Sequence, residues 1–248
     1  MKSTFKDHFS GHAAEYASNR PTYPSALFEF LAGRSSGREQ AWDCATGNGQ
    51  SARALADHFA RVVATDASKE QLAAALPHPR VEYRLELAES TSLQDASCDL
   101  VAVAQAVHWF ESDKFYAEVR RVARPQALLA VWTYDVMRID PAVDSLLDTF
   151  HNETVAEYWP AERELVDSRY ASLPFPFTEL ETPDFEMKRE WTVDRALGYL
   201  GTWSAVRGFA ADRGIDPLSA FEPALRSAWG SAPRPVHWPL TVRVGRID

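Results

Sequence analysis

Cysteine is scarce in this chain of 248 residues: there are two, Cys44 within an apolar stretch and Cys98 in a polar one, and no CxxC spacing. A disulfide framework and the usual zinc arrangements are therefore not expected. Equally missing is any apolar run near the roughly 18 residues a membrane span needs, so no membrane partner is expected. The opening Met-Lys-Ser-Thr-Phe-Lys-Asp-His lacks the apolar core of a signal peptide, which makes the cytoplasm the expected location. Basic residues are outnumbered, 26 Lys and Arg against 35 Asp and Glu, for a net charge of −9. A surface of that sign repels a phosphate backbone and argues against a nucleic-acid substrate. No internal repeat, low-complexity tract, GxSxG elbow, P-loop lysine or HExxH occurs. His8 and His12 sit four apart, but no Glu or Cys joins them, so they read as a solvated helix face and no metal is expected.

What is present is a regular alternation of elements. Phe9, Ala13, Tyr16 and Ala17 recur at helical spacing until Arg20-Pro21 ends the run. Pro24 and Ser25 open a second helix that buries Leu27, Phe28 and Leu31. Strands are expected at Gln40–Cys44, Arg61–Thr65, Val81–Leu87, Leu100–Ala104 and Ala127–Trp132. Helices fall between them, over Ser51 to about Phe59, over Lys69–Ala75 capped by Ser68 with Gln71 as its capping-box partner, and around Phe115, Tyr116, Val119 and Val122. Val143, Leu146, Leu147 and Phe150 mark a further helix, Phe185–Trp191 a sixth strand and His237–Ile247 a seventh. The pattern predicts an α/β fold: a doubly wound, mostly parallel, seven-stranded sheet of Rossmann-like type with a helical and irregular cap. We read one domain, with 1–38 as a helical lid, 39–133 as the core, 134–183 as a cap insertion and 184–248 completing the sheet.

The chain is organised around Ala41 to Ala52, where a short apolar strand runs into a small-residue turn and then into an alanine-rich helix. Such a turn presents backbone N–H groups and a positive helix end to a polar ligand. Gly47 and Gly49 suit it because they tolerate positive φ and close approach. Asp66, Ala88-Glu89 and Gln105 to Phe110 also follow predicted strands, at the sheet end where ligands bind in this architecture. Gly47-Asn48-Gly49-Gln-Ser-Ala52 satisfies GxGxxG/A, and Asp66 lies about 20 residues on, so an NAD-linked oxidoreductase is one reading. Asp43 argues for another, because a carboxylate beside the turn repels a pyrophosphate but suits the cationic S-adenosylmethionine.

Asp43-Cys-Ala45-Thr46-Gly47-Asn48-Gly49 resembles the DxGxGxG signature of class I S-adenosylmethionine-dependent methyltransferases, with Ala45 in place of the first glycine. Tyr16 to Pro24, Ala88-Glu89, Gln105-Ala-Val-His108-Trp109-Phe110, Glu118 to Val122 and Gly198 to Val206 are similar to the type 11 methyltransferases related to trans-aconitate methyltransferase. Arg124-Pro-Gln-Ala127 departs from the Pro-Gly-Gly turn of those relatives. The resemblance implies that Ala45, Thr46, Gly47, Asn48 and Gly49 hold the methionine moiety, with Tyr16, Arg20 and Asp43 also at the cofactor. Asp66 would accept from the ribose hydroxyls with Ala67 beside the adenine, and Ala88 and Glu89 would border its amino edge. Gln105 and Ala106 would line the path to the sulfur, and His108 and Trp109 would face the methyl group.

The expected activity is methyl transfer from S-adenosylmethionine to a small-molecule acceptor, of carboxylic-acid type, by a monomer or homodimer. A non-catalytic nucleoside-binding module is the further alternative. A carboxylate acceptor needs no base, whereas a hydroxyl or amine would recruit His108, whose ordinary pKa lies near 6.5. Arg20 is expected to fix a carboxylate of cofactor or acceptor. Glu162, Arg163 and Glu164 read as a solvated charged face.

Overall fold

The computed structural model describes residues 20–248. Up to Arg20, the expected N-terminal helix, with His8, His12 and Tyr16, lies outside the described residues.

The central strands are buried on both faces. In β1 (Gln40–Cys44), Trp42 and Cys44 face one side while Ala41 faces the other. The same alternation runs through β2 (Arg61–Asp66), β4 (Cys98–Ala104) and β5 (Ala123–Tyr134), so both faces need covering. On one face α1 (Ser25–Arg34) supplies Leu27, Phe28 and Leu31, and α2 (Gln50–Leu55) supplies Leu55. On the other, α4 (Ser112–Val122) supplies Phe115, Val119 and Val122. Each such side chain, fully buried, contributes about 1.5–3 kcal/mol. Between them lie α3 (Lys69–Ala73) and β3 (Val81–Leu85).

Strand order is β3-β2-β1-β4-β5, all parallel, followed by the antiparallel β8 (Arg234–Arg246). β6 (Thr178–Glu179) and β7 (Phe185–Trp191) share the edge of β8 that faces away from β5. All seven anticipated strands are present across the mostly parallel sheet, and the two-residue β6 is an addition too short to leave a periodic signal. The order reverses between β1 and β4, which puts a crevice beyond their carboxyl ends.

Several boundaries differ from expectation. α2 stops at Leu55, short of Phe59, and α3 at Ala73. Ser68 caps α3 by accepting from Gln71 N, but the Ser68 N–H that a capping box would give to a Gln71 side chain donates to Asp66 Oδ1 at 2.8 Å. Cys98 is no loop residue: it is the buried first residue of β4, and both cysteines are free thiols. β5 begins four residues early, and the Arg124-Pro-Gln-Ala127 segment belongs to it, with Gln126 at φ 66°, a conformation glycine takes without strain.

The later helices are α5 (Pro141–Thr149), α6 (Arg163–Asp167), α7 (Val193–Leu200), α8 (Ser204–Arg213) and α9 (Leu218–Trp229). α5 is capped by Asp140, whose carboxylate accepts from Ala142 N and Val143 N, and it continues into a wide turn over Phe150–Thr154. Val143, Leu147, Phe150, Tyr199, Leu200 and Trp203 form a third core with Trp191 of β7 and Trp238 of β8. Many of the aromatic residues that follow Trp132 in the sequence pack there. No helix among the described residues is long and apolar enough to cross a membrane.

Candidate active site

The turn after β1 is fixed from below. Thr46 N donates to Thr65 O of β2 at 2.9 Å, and Gly49 N closes the turn on Thr46 O at 3.0 Å. Ala45 sits at φ 53°, Gly47 at 57° and Gly49 at 80°, so the substituted first glycine position does take the left-handed backbone. That costs an alanine about 1–2 kcal/mol. Ala45→Gly should relieve it, against about 0.5–1 kcal/mol of added unfolded-state freedom, for a small net gain in urea denaturation. Gly49 is held tighter: a Cβ there would run into the Tyr83 hydroxyl, which donates to Leu76 O at 3.0 Å. Gly49→Ala combines that clash with forbidden φ and should cost about 2–3 kcal/mol, read as a lowered denaturation midpoint.

At the tip of β2, Asp66 is nearly buried and both its oxygens meet backbone donors: Oδ2 accepts from Gly47 N and Oδ1 from Ser68 N, each at 2.8 Å. The carboxylate thus ties the β1 turn to the start of α3. Beyond β3, Glu89 Oε1 accepts from Glu111 N at 3.0 Å. Beyond β4, Gln105 adopts φ 57°; its N–H donates to Trp132 O, its Nε2 to Tyr134 O at 3.1 Å, and its Oε1 accepts from Thr133. Its whole amide is committed to β5, which shapes the wall and leaves no role as a mobile reagent.

These segments surround a cavity of about 340 Å³. Ala45, Thr46, Gly47 and Asn48 of the β1 turn line it together with Asp66, Ala67, Ala88 and Glu89 and with Arg20, Gln105, Ala106 and Trp109. Among the described lining residues the cations number one, Arg20, against the acids Asp66, Glu89, Glu111 and Glu162. Such a lining repels a pyrophosphate and favours a cation.

A second cavity, about 80 Å³, shares Arg20, Gln105, Trp109 and Tyr134 with the first. Its other walls are His108, Asp135, Trp159, Arg163, Tyr199 and Trp203 among others. Arg20 lies over the Tyr134 and Tyr199 rings, at 6.0 and 5.1 Å, and its Nη1 donates to the Tyr134 hydroxyl at 2.9 Å. His108 Nδ1 lies 3.0 Å from the Tyr170 hydroxyl and its ring 4.9 Å from that of Trp109. Burial pushes the His108 pKa down to about 4, and the nearby Arg163 charge adds to the effect. The imidazole is therefore neutral at pH 7.

Four expectations shift. Asp43 does not reach the cavity: it is fully buried behind the turn, its carboxylate accepting from the Thr46 hydroxyl and facing Ser51 and Ala52 at the start of α2. It shapes the turn and does not line the cavity, because β1 points its side chain into the core behind the turn. Gly49 likewise turns the chain without lining the cavity. His108 faces the second cavity and not the first, where Trp109 stands. The charged run at 162–164 is a solvated face only in part: Glu164 is exposed, but Glu162 lines the first cavity, and Arg163 pairs with Asp135 and Asp167 and lines the second. Tyr16 lies outside the described residues.

The sequence reading missed Tyr23, Glu111, Tyr134 and Gln71 as lining residues. Gln71 left a signal, a polar residue one turn past a cap beside Asp66. Tyr134 left none, because a tyrosine closing an apolar strand is ordinary core.

Residues 42–131 match the type 11 methyltransferase domain family. A protein of Dictyostelium discoideum named as a methyltransferase is 30% identical over 229 residues, covering 91% of this chain and 87% of its own length. A Mycobacterium bovis protein also named as a methyltransferase is 35% identical over 235 residues, with 90% of each chain covered. A solved structure from Anaeromyxobacter dehalogenans, named as a type II methyltransferase, superposes with a TM-score of 0.87 at 49% identity, over 92% of this chain and 98% of that one. The chain belongs to the class I S-adenosylmethionine-dependent methyltransferases, with the type 11 methyltransferase domain at its core.

Proposed function

We propose that the first cavity holds S-adenosylmethionine, that the second holds the acceptor, and that the acceptor is a small carboxylic acid. The observation carrying this reading is the pair of cavities with one common wall, the first lined by four acids against the single guanidinium of Arg20 and the second by the guanidiniums of Arg20 and Arg163 against the single carboxylate of Asp135. The cofactor supplies a methyl group made electrophilic by sulfonium charge.

The donor set fits such a ligand. Asp66 brings a carboxylate to the cavity wall at the tip of β2, the acceptor chemistry that a pair of ribose hydroxyls calls for. Ala67, Ala88 and Glu89 offer the small-residue and acidic border an adenine needs, and the backbone of Ala45 to Asn48 offers donors to a carboxylate. Trp109, on the common wall, offers a π face to a cation without offering a nucleophile. Ala106 packs beside it on the first cavity's wall. Arg20 lines both cavities and so reaches a carboxylate on either ligand.

In-line transfer then needs alignment and exclusion of water. An acceptor oxygen would take the methyl group that the cofactor supplies when bound, with the S–CH3 electron pair left on sulfur. No proton moves, which agrees with a His108 held neutral by burial. Single-turnover rates should accordingly show no inflection near pH 6.5 from His108, and a fall only as pH approaches about 4. An inflection near 6.5 that disappears in His108→Asn would assign the histidine to proton transfer and remove the carboxylate reading.

Isothermal titration tests the cofactor: S-adenosylhomocysteine should bind at micromolar concentration and NADH should not. Labelled methyl donor offered with a panel of small acids, alcohols and amines tests the acceptor. Label appearing in base-labile esters supports the proposal, and label confined to amines or alcohols refutes it.

A further inference from the structure

Arg163 stands one turn before the end of the short helix α6, in a segment whose sequence suggests only solvent exposure. Its side chain is 19% exposed and its orientation is fixed on three sides. Nε donates to Asp167 Oδ1 at 2.7 Å, Nη2 donates to Asp135, and the guanidinium carbon lies 4.6 Å over the Trp159 ring. Trp159 is itself held, its Nε1 donating to His151 O at 3.2 Å. Asp135, Asp167 and His151 bring two carboxylate oxygens and a ring nitrogen within 4.8 Å of one another, a grouping that suits a cation. The guanidinium paired with both carboxylates is already that cation, so the cluster reads as a holder for Arg163 and not as a metal site.

Those bonds engage Nε and Nη2, and leave the Nη1 hydrogens on a residue that lines the second cavity. A guanidinium fixed before the ligand arrives loses little entropy on binding. Asp135 lines the same cavity beside it. A fixed donor next to a fixed carboxylate welcomes one anion and repels a second placed alongside.

We propose that Arg163 is a specificity-determining residue: it binds one oxygen of the acceptor carboxylate through Nη1, leaves the other oxygen to attack, and together with Asp135 selects acceptors with a single carboxylate at that end. Trp109, Trp159, Trp203, Tyr134 and Tyr199 around the cavity point to a planar, apolar body behind that carboxylate. The inference rests on the acid-acceptor reading above and adds the residue and the charge count that govern it. Asp167 acts as a positioning residue, since it grips Nε from the exposed side.

The test is titration of the full-length enzyme, saturated with S-adenosylhomocysteine, with benzoate, benzamide and the vicinal dianion phthalate. Wild-type protein is expected to bind benzoate at least tenfold more tightly than either analogue. Arg163→Gln should erase the preference over benzamide, Arg163→Lys should restore part of it, and Asp135→Asn should raise phthalate to near the benzoate level. Asp167→Asn should weaken benzoate severalfold, with S-adenosylhomocysteine affinity held within twofold throughout. Survival of the benzoate preference in Arg163→Gln, with Asp135→Asn leaving phthalate excluded, would overturn the role of Arg163 alone. Wild-type indifference between benzoate and benzamide would overturn the acid-acceptor reading and this inference together. Should Arg163→Gln not fold, the Asp135→Asn and Asp167→Asn results decide on the same criteria.

Discussion

Asp66→Asn is expected to weaken S-adenosylhomocysteine binding by about 100-fold, or about 2.7 kcal/mol. On the proposed reading the carboxylate does two jobs at one point, ordering the turn and accepting from the ligand. Its oxygens take the Gly47 and Ser68 N–H groups, each at 2.8 Å, and an amide offers one acceptor where the acid offers two. One backbone donor then faces an NH2 group, and the ligand loses a charge-assisted bond that is typically about 1.5–3 kcal/mol. Two measurements check this together: titration for the affinity, and thermal unfolding with and without ligand for the stabilisation that binding confers. Should Asp66→Asn bind the ligand as the wild type does, the assignment of the first cavity to the nucleoside fails.

The second large effect concerns Asp43 and pH. Burial raises its pKa from 3.8 to about 7, against the opposing hydrogen bond from the Thr46 hydroxyl. Because the folded value exceeds the unfolded one, the native state holds a proton that the unfolded chain has released between pH 4 and 7. Stability contributed by the neutral acid is thus complete below about pH 4, declines as pH rises, and is gone above about 7. A shift of this size corresponds to about 4 kcal/mol across the window. Asp43→Asn, neutral at every pH, is expected to flatten the slope and to gain on the wild type as pH rises toward 8. Urea midpoints at pH 4.5, 6 and 8 for both proteins measure it. Parallel curves for the two proteins would show that the carboxyl is charged in the fold at all three values.

Asp43 also marks where residue chemistry alone misleads. Its acidity beside a glycine turn suggested a direct electrostatic partner for a cationic ligand, yet β1 aims it into the core, behind the turn. The acids that do line the first cavity are Asp66, Glu89, Glu111 and Glu162, spread over four segments far apart in sequence. Asp66 and the turn were readable because each follows a strand directly, and the strand period fixes which end of the sheet they occupy. Arg163 and Tyr134 were not, because their meaning depends on which residues from remote elements meet them. His108 stood between the two cases: its place after β4 was evident, but its neutrality required knowing how deeply Tyr170 and Trp109 enclose it.

Sequence by itself determined the order of the strands along the chain, the parallel winding, and the turn and acid at the tips of β1 and β2. These follow from local periodicity, from glycine's backbone freedom and from short-range capping. Only the tertiary structure decided that there are two cavities with a common wall, that Asp43 turns inward, and that Arg163 is gripped by Asp135 and Asp167. Side-chain direction and charge pairing across dozens of residues are set by packing, and packing is a property of the folded chain as a whole.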